Sequence, residues 1–283
     1  MDGSDQLGSP FIVRRPAGEG LPLIFASPHS GRIYPAEMMA ASGLDRDQIR
    51  TSEDAHVDAL IEDGPRHGAT VIANQLARAY VDVNRAPHEL DPAMFEDELP
   101  AFAQGRSARV AAGLGAIARI VADGQEIYNR KLTYAEARLR IETVHAPYHK
   151  ALNELAQEAR ARHGRVLIID WHSMPSAAGR LGPGRACDFV LGDRFGQACG
   201  GAVTSLVERS LRDRGYKVVR NNPYAGGYTT EHYGSPQDGV HALQVEIDRG
   251  LYLDETGLAP GSGFATLKAD LGVLFRALAA GGW

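Results

Sequence analysis

The feature that most restricts how this chain can fold is a series of short apolar runs, rich in β-branched residues, separated by longer stretches of helical periodicity. Runs at residues 21–26, 69–73, 79–83, 166–171, 188–191, 217–219 and 242–247 have the length and composition of buried strands. Helical patterns occupy 56–63, about 106–162, 194–214 and 263–280. Within 148–163, Leu152, Leu155 and Ala159 recur at intervals of three and four between Lys, Glu and Arg, and Gly164 stands where a left-handed residue ends a helix. Strands alternating with helices predict an α/β fold with a central mixed, mostly parallel β-sheet flanked by helices. No linker rich in Pro, Gly and Ser and no internal repeat interrupts the pattern. Residues 1–283 are therefore expected to form a single domain with its core at about 20–280.

Composition narrows the class of partner. Lys and Arg total 30 against 35 acidic residues, a net charge of −5 without a basic block, so the sequence lacks a track for a phosphate backbone and nucleic acid is not expected. No segment reaches the roughly 18 uninterrupted apolar residues of a membrane span. Cys187 and Cys199 cannot build a disulfide framework or a four-thiolate zinc site, which fits a reducing compartment. Residues 1–10 carry Asp2 and Asp5 and lack the basic start and apolar run of a signal peptide. The expectation is a cytoplasmic protein; assembly as a homo-oligomer is compatible with the sequence.

In sheets of this kind ligands gather beyond the carboxyl ends of strands. Polar groups appear there: Ser27-Pro28-His29-Ser30-Gly31 after the first run, Asp170-Trp171-His172-Ser173 at the end of another, and Glu246 inside Leu243-Gln244-Val245-Glu246-Ile247. A carboxylate in an apolar strand is costly unless paired, metal-bound or catalytic, and the spacing leaves an edge position, an ion pair and a catalytic role all open for Glu246. His29 and His172 are suited to zinc, whose catalytic sites take about three protein ligands. Asp54, beside Glu53 and just before a helical pattern, reads either as the missing carboxylate or as a helix cap. Asp170, two residues before His172, is placed to orient an imidazole. Arg78, Asn84 and Arg85 frame the run at 79–83, with Pro87 just beyond, and supply the forked donors that match a carboxylate, so a small acidic molecule is the expected partner. Arg78 taken alone also reads as an ordinary solvated arginine. The segment 226–234, with Tyr228, has the glycines of a loop that closes over substrate or of an exposed connection.

Seven strings in order resemble the N-formylglutamate amidohydrolases: Ser-Pro-His-Ser-Gly at 27–31, Glu-Asp-Ala-His-Val-Asp at 53–58, Val-Asp-Val-Asn-Arg-Ala-Pro at 81–87, Pro-Tyr-His at 147–149, Asp-Trp-His-Ser-Met at 170–174, Gly-Gly-Tyr at 226–228 and Leu-Gln-Val-Glu-Ile at 243–247. The resemblance implies a zinc carboxypeptidase-like fold and Zn2+ held by His29, His172 and Asp54. Position 32 is Arg, so the compact His-x-x-Glu pair of more distant relatives is absent, and Glu53 competes with Asp54 as third ligand. It further implies Glu246 as general base and acid, and the physics of amide hydrolysis then makes Arg78 the expected oxyanion donor. Asn84 and Arg85 would clamp the substrate α-carboxylate, and Tyr228 would contact the substrate. The implied reaction is hydrolysis of a small N-acyl amino acid, N-formyl-L-glutamate first. A deacylase for another N-acyl or N-formimino amino acid and a non-catalytic metal- or acid-binding protein are the rival readings, and Glu246 separates the last of these, because a binding protein needs no base.

Overall fold

A computed structural model describes residues 8–121, 124–182 and 185–283; part of the N-terminal segment read for a leader thus lies outside the described residues. Its strands are β1 (Phe11–Arg14), β2 (Leu23–Ser27), β3 (Thr70–Asn74), β4 (Val166–Met174), β5 (Arg180–Gly182), β6 (Arg185–Ala186), β7 (Phe189–Gly192), β8 (Val218–Arg220) and β9 (Val240–Asp248). The helices are α1 (Ala36–Ala41), α2 (Arg46–Arg50), α3 (Val57–Leu60), α4 (Ala108–Ala111), α5 (Tyr134–Arg140), α6 (Ala146–His163), α7 (Gly201–Arg212), α8 (Tyr228–Tyr233) and α9 (Phe264–Ala279). The sheet runs β1-β3-β2-β4-β9-β7-β8. β3, β2, β4 and β9 are mutually parallel, β7 and β8 are parallel to each other, and antiparallel pairs occur at β1–β3 and β7–β9.

Side-chain parity explains where the site falls. On β4, Val166 and Ile168 pack towards α6, in a core with Val144, Tyr148 and Leu152. Leu167, Ile169 and Trp171 point the other way, to a core shared with α3, α7 and α9. On β9, Ala242 joins the first core, while Leu243, Val245 and Ile247 join the second. Because successive residues alternate faces, Asp170 and His172 continue the row of Val166 and Ile168, and Gln244 and Glu246 continue that of Ala242. The register sets Asp170 beside Gln244 and His172 beside Glu246. One face of the sheet therefore changes from apolar to polar towards the strand ends, while the other remains apolar. There Phe25, Trp171 and Phe275 pack with centroids 4.7 to 5.8 Å apart, and burying such side chains is the main stabilising term of the domain.

The long helix ends as the sequence requires: Gly164, with φ 75°, follows α6 and donates to Arg160 O. Three expectations need correction. The run at 79–83 is not a strand; its backbone turns, and its buried Ala79, Tyr80, Val81 and Val83 join the α6-side core without a ladder. The pattern at 106–162 is broken into α4, irregular chain, α5, a π-helical turn (Ile141–His145) and α6. The segment 226–234 contains α8, whose Thr229, Thr230 and Tyr233 are buried, so it is a packed element and not a free loop. β1 was not legible, because only two of its four residues are half-buried and two are exposed. Among the described residues no helix is long and apolar enough to cross a membrane.

Candidate active site

His29 follows β2 directly. Gly31 lets this turn lie against the chain at 75–76, since a Cβ there would come within 2.1 Å of Leu76 O. The Asp54 amide donates to His29 O at 3.1 Å, tying the second segment to the first. Asp54 is not a helix cap: His56, in the left-handed region with φ 61°, precedes α3 without a side-chain cap bond. The Asp54 carboxylate turns instead to the histidines. Glu53 turns elsewhere, accepting from Tyr34 Oη at 2.6 Å and Arg50 Nε at 3.2 Å.

His29, Asp54 and His172 are thus brought together, all buried, with their donor atoms within 4.8 Å of one another. His29 Nδ1 lies 3.1 Å from His172 Nδ1, and Asp54 Oδ2 lies 3.3 Å and 3.0 Å from these two nitrogens. The edge of a tetrahedron built on zinc bonds of about 2.0 Å is about 3.3 Å, so the spacing suits such an ion. The chemistry of the donors fits as well. His29 Nε2 donates to Asp82 Oδ1 at 2.7 Å, which leaves its Nδ1 lone pair facing the Asp54 carboxylate, and His172 Nε2 lies 2.8 Å from Asp170 Oδ2 and 3.0 Å from Asn84 Nδ2. Three electron-rich atoms in one buried spot repel unless a cation or a proton lies among them. Burial disfavours charge on His172, yet Asp170 and Asp54 hold its pKa well above the ordinary value. Asp54 is held well below its own, where bonds from His172 and His29 outweigh burial. A metal taken up here displaces a proton.

Behind the three candidate ligands lies a supporting layer that sequence patterning only partly revealed. Asp82 was missed, although it stands two residues before Asn84; it receives His29 at Oδ1 and Arg78 Nη2 at Oδ2, 2.8 Å away. Burial alone would raise its pKa, but His29, Arg78 and Arg85 hold it well below the usual carboxylate range. Arg249 was also missed; it donates to Asp54 Oδ1 at 3.2 Å, Ser173 Oγ at 3.2 Å and the carbonyls of Thr51 and Glu53. A buried Arg one residue past β9 was its only sequence signal.

A cleft of about 630 Å³ opens over the ligands and is lined by Arg78, Asn84, Arg85 and Glu246 among others. Glu246 accepts from Gln244 Nε2 at 2.8 Å through Oε1. Burial pushes its pKa up to about 7, with Asp54 and Asp170 adding to the shift and His172 and Arg78 opposing it. Asn84 accepts the Thr229 amide at Oδ1 (2.8 Å), and its Nδ2 lies 3.0 Å from both Asp170 Oδ2 and His172 Nε2. Gly227 permits this contact, since a Cβ there would come within 2.6 Å of the Asn84 amide. Tyr228 is not brought to the cleft: its ring stacks on His232 at 4.9 Å, with His149 at 5.1 Å. Tyr224 lines the cleft instead, and its phenol is raised in pKa by burial and by Glu246.

A buried His-Asp-His group at parallel strand ends, with an acidic side chain of raised pKa and arginines beside it, defines a candidate metallohydrolase centre in an α/β domain. The chain belongs to the N-formylglutamate amidohydrolase family, whose family model matches residues 21–253. It is 32% identical to the N-formylglutamate deformylase of Pseudomonas aeruginosa over 262 residues, covering 91% of this chain and 90% of that protein. The N-formylglutamate deformylase of Pseudomonas putida is 26% identical over 239 residues, covering 83% of each. The crystal structure of an N-formylglutamate amidohydrolase from Ralstonia eutropha JMP134 superimposes with a TM-score of 0.91 at 41% identity, covering 96% of this chain and 98% of that one.

Proposed function

We propose that this chain is a zinc-dependent amidohydrolase that cleaves a small N-acyl amino acid, N-formyl-L-glutamate before others, giving formate and glutamate. The observation that carries this reading is the convergence of His29 Nδ1, His172 Nδ1 and Asp54 Oδ2 beside Glu246. Family membership and the named activity of the Pseudomonas relatives support the choice of acyl group and amino acid.

Zinc held by the three ligands would supply a Lewis acid that polarises the acyl carbonyl and acidifies water. The protein's own groups do the rest. Glu246 Oε1 is held by Gln244, which leaves Oε2 to accept a proton from the attacking water. Glu246 then returns this proton to the departing amine as the C–N bond breaks. A carboxyl raised to about 7 exchanges a proton near neutrality at little cost in either direction. Arg78, fixed by Asp82, donates to the oxygen on which negative charge develops. Arg85 and Asn84 hold the carboxylate next to the scissile amide.

The test is formate release from N-formyl-L-glutamate by purified protein of measured zinc content. Activity that a chelator removes and one equivalent of zinc restores is the expected result. A fully zinc-loaded, folded protein that leaves N-formyl-L-glutamate intact would sink the substrate assignment.

A further inference from the structure

The cleft holds more guanidinium groups than hydrolysis of one amide requires. Arg249 is spent on Asp54 and the carbonyls beneath it, and Arg78 is paired with Asp82. Arg85 has given Nε to Leu114 O and Nη1 to Asn84 O. Two more, Arg109 on α4 and Arg194 between β7 and α7, also line the cleft.

These two flank a single residue. Arg109 Nη2 donates to Gly226 O at 3.0 Å, and Arg194 Cγ lies 3.0 Å from the point a Cβ on Gly226 would occupy. The Arg194 amide donates to Ala225 O at 2.8 Å. Asp54 and Glu246 act on the charge of Arg78, and Arg78 and Arg109 on that of Arg85. Gly227, the next residue along, lies against the Asn84 amide, so the two arginines stand on the cleft wall beside Asn84 and Arg85. Crowding shows in Arg85, where burial, Arg78 and Arg109 together outweigh Asp82 and lower its pKa.

Arg194 is held at a cost. It and Phe195 both have positive φ, 53° and 57°, a region that residues other than glycine rarely adopt. Asn221 Oδ1 fixes the turn by accepting from the Asp193 and Phe195 amides. The other partner of Arg194, Glu231 at 3.3 Å, is more than half exposed and contributes little. A guanidinium carries five N–H groups, so each of the two arginines keeps donors free.

We infer that Arg109 and Arg194 form a second anion subsite that takes the distal carboxylate of a dicarboxylic substrate and selects it over a neutral side chain. The inference deepens the proposed function and rests on it for the reaction, but not for the binding of a dicarboxylate. Hydrogen bonds to charged groups are strong enough for this pair to separate a carboxylate from its neutral isostere by on the order of 10- to 100-fold.

Two measurements test it. Calorimetry on the zinc-loaded protein compares glutarate with butyrate, and kinetics compare kcat/KM for N-formyl-L-glutamate and N-formyl-L-glutamine as a ratio. The expected result is a preference of about tenfold or more for the dicarboxylic member of each pair, collapsing towards unity in Arg109→Met/Arg194→Met. A purely structural role would lower both members together and leave the ratio intact, which overturns the inference. Should the double variant fail to fold, Arg109→Lys and Arg194→Lys keep the charge and the stem but lose the fork; a reduced preference in either sustains the subsite, and an unchanged one in both removes it. A glutarate preference that depends on these arginines, without hydrolysis of N-formyl-L-glutamate, sustains the subsite and removes the proposed activity. Hydrolysis without a glutarate preference does the reverse.

Discussion

The two halves of the cleft are built by different means. His172, Asp170, Gln244 and Glu246 stand on β4 and β9, where the ladder and side-chain alternation fix their positions. Arg78, Asp82, Asn84 and Arg85 stand on a turning segment that no ladder supports, and side chains from α5, the π-helical turn and α6 take its carbonyls instead. Arg140 Nη1 donates to Tyr80 O at 3.2 Å, His149 Nε2 to Val83 O at 2.7 Å and His145 Nε2 to Arg85 O at 2.8 Å. Burial lowers the pKa of both histidines, to about 3 for His149, so each stays neutral and its second nitrogen is an acceptor. In His149 that nitrogen receives Tyr233 Oη at 2.9 Å. The comparison teaches that a buried segment can be as fully hydrogen-bonded as a strand when its neighbours carry the donors.

Five substitutions break or sharpen this contrast, taken from the largest effect down. Glu246→Gln, on the strand half, should cost about 10²–10⁴ in kcat while zinc content, read by metal analysis, stays stoichiometric. Arg78→Ala, on the turning half, should cost about 10²–10³ in kcat with a smaller change in stability; wild-type turnover would remove its role at the oxyanion. Asp82→Asn and Asp170→Asn sit behind one imidazole each, and each should weaken zinc binding by about 10- to 100-fold in a competition titration. Equal losses mean that the two halves are equally well organised, whereas a smaller loss at Asp82 means that the turning half relaxes around the change. His149→Ala leaves the Val83 carbonyl without its donor and should lower unfolding free energy by about 1–3 kcal/mol in a denaturant titration.

The smallest expected effect concerns acid. Glu136 closes the capping box of α5, the helix that carries Arg140, and the bond from Arg130 lowers its pKa from 4.5 to about 2. A depressed carboxylate stabilises the fold above its unfolded pKa and loses that contribution as pH falls through the folded one. The melting temperature of wild type should therefore fall towards that of Glu136→Gln between about pH 4.5 and 2. Parallel curves would assign the acid response to other carboxylates.

The same contrast governs what the sequence disclosed. His29, His172 and Glu246 were legible because apolar runs with a polar end betray a strand and its carboxyl edge. Asp54 was visible as a residue type, yet its choice over Glu53 needed the fold, which ties Glu53 to Tyr34 and Arg50 and sets Asp54 against the histidines. The 79–83 run looked like a strand because burial selects the same residues whether the backbone bonds to a ladder or to Arg140, His145 and His149. Arg109, Arg194 and Tyr224 could not be read, since residues far apart in sequence meet only around the chain at 223–227. Tyr228 was drawn in by its neighbouring glycines, but α8 turns its ring away.

Asp82 joins the histidine that would hold the cation to the arginine that would meet the anion, one oxygen for each. Through it the occupancies of the two positions are thermodynamically linked. Opposite charges favour one another, and linkage is reciprocal: the factor by which the cation strengthens substrate binding is the factor by which substrate strengthens retention of the cation. A protein built this way is hardest to strip of its metal when saturated with substrate and most open to exchange when idle.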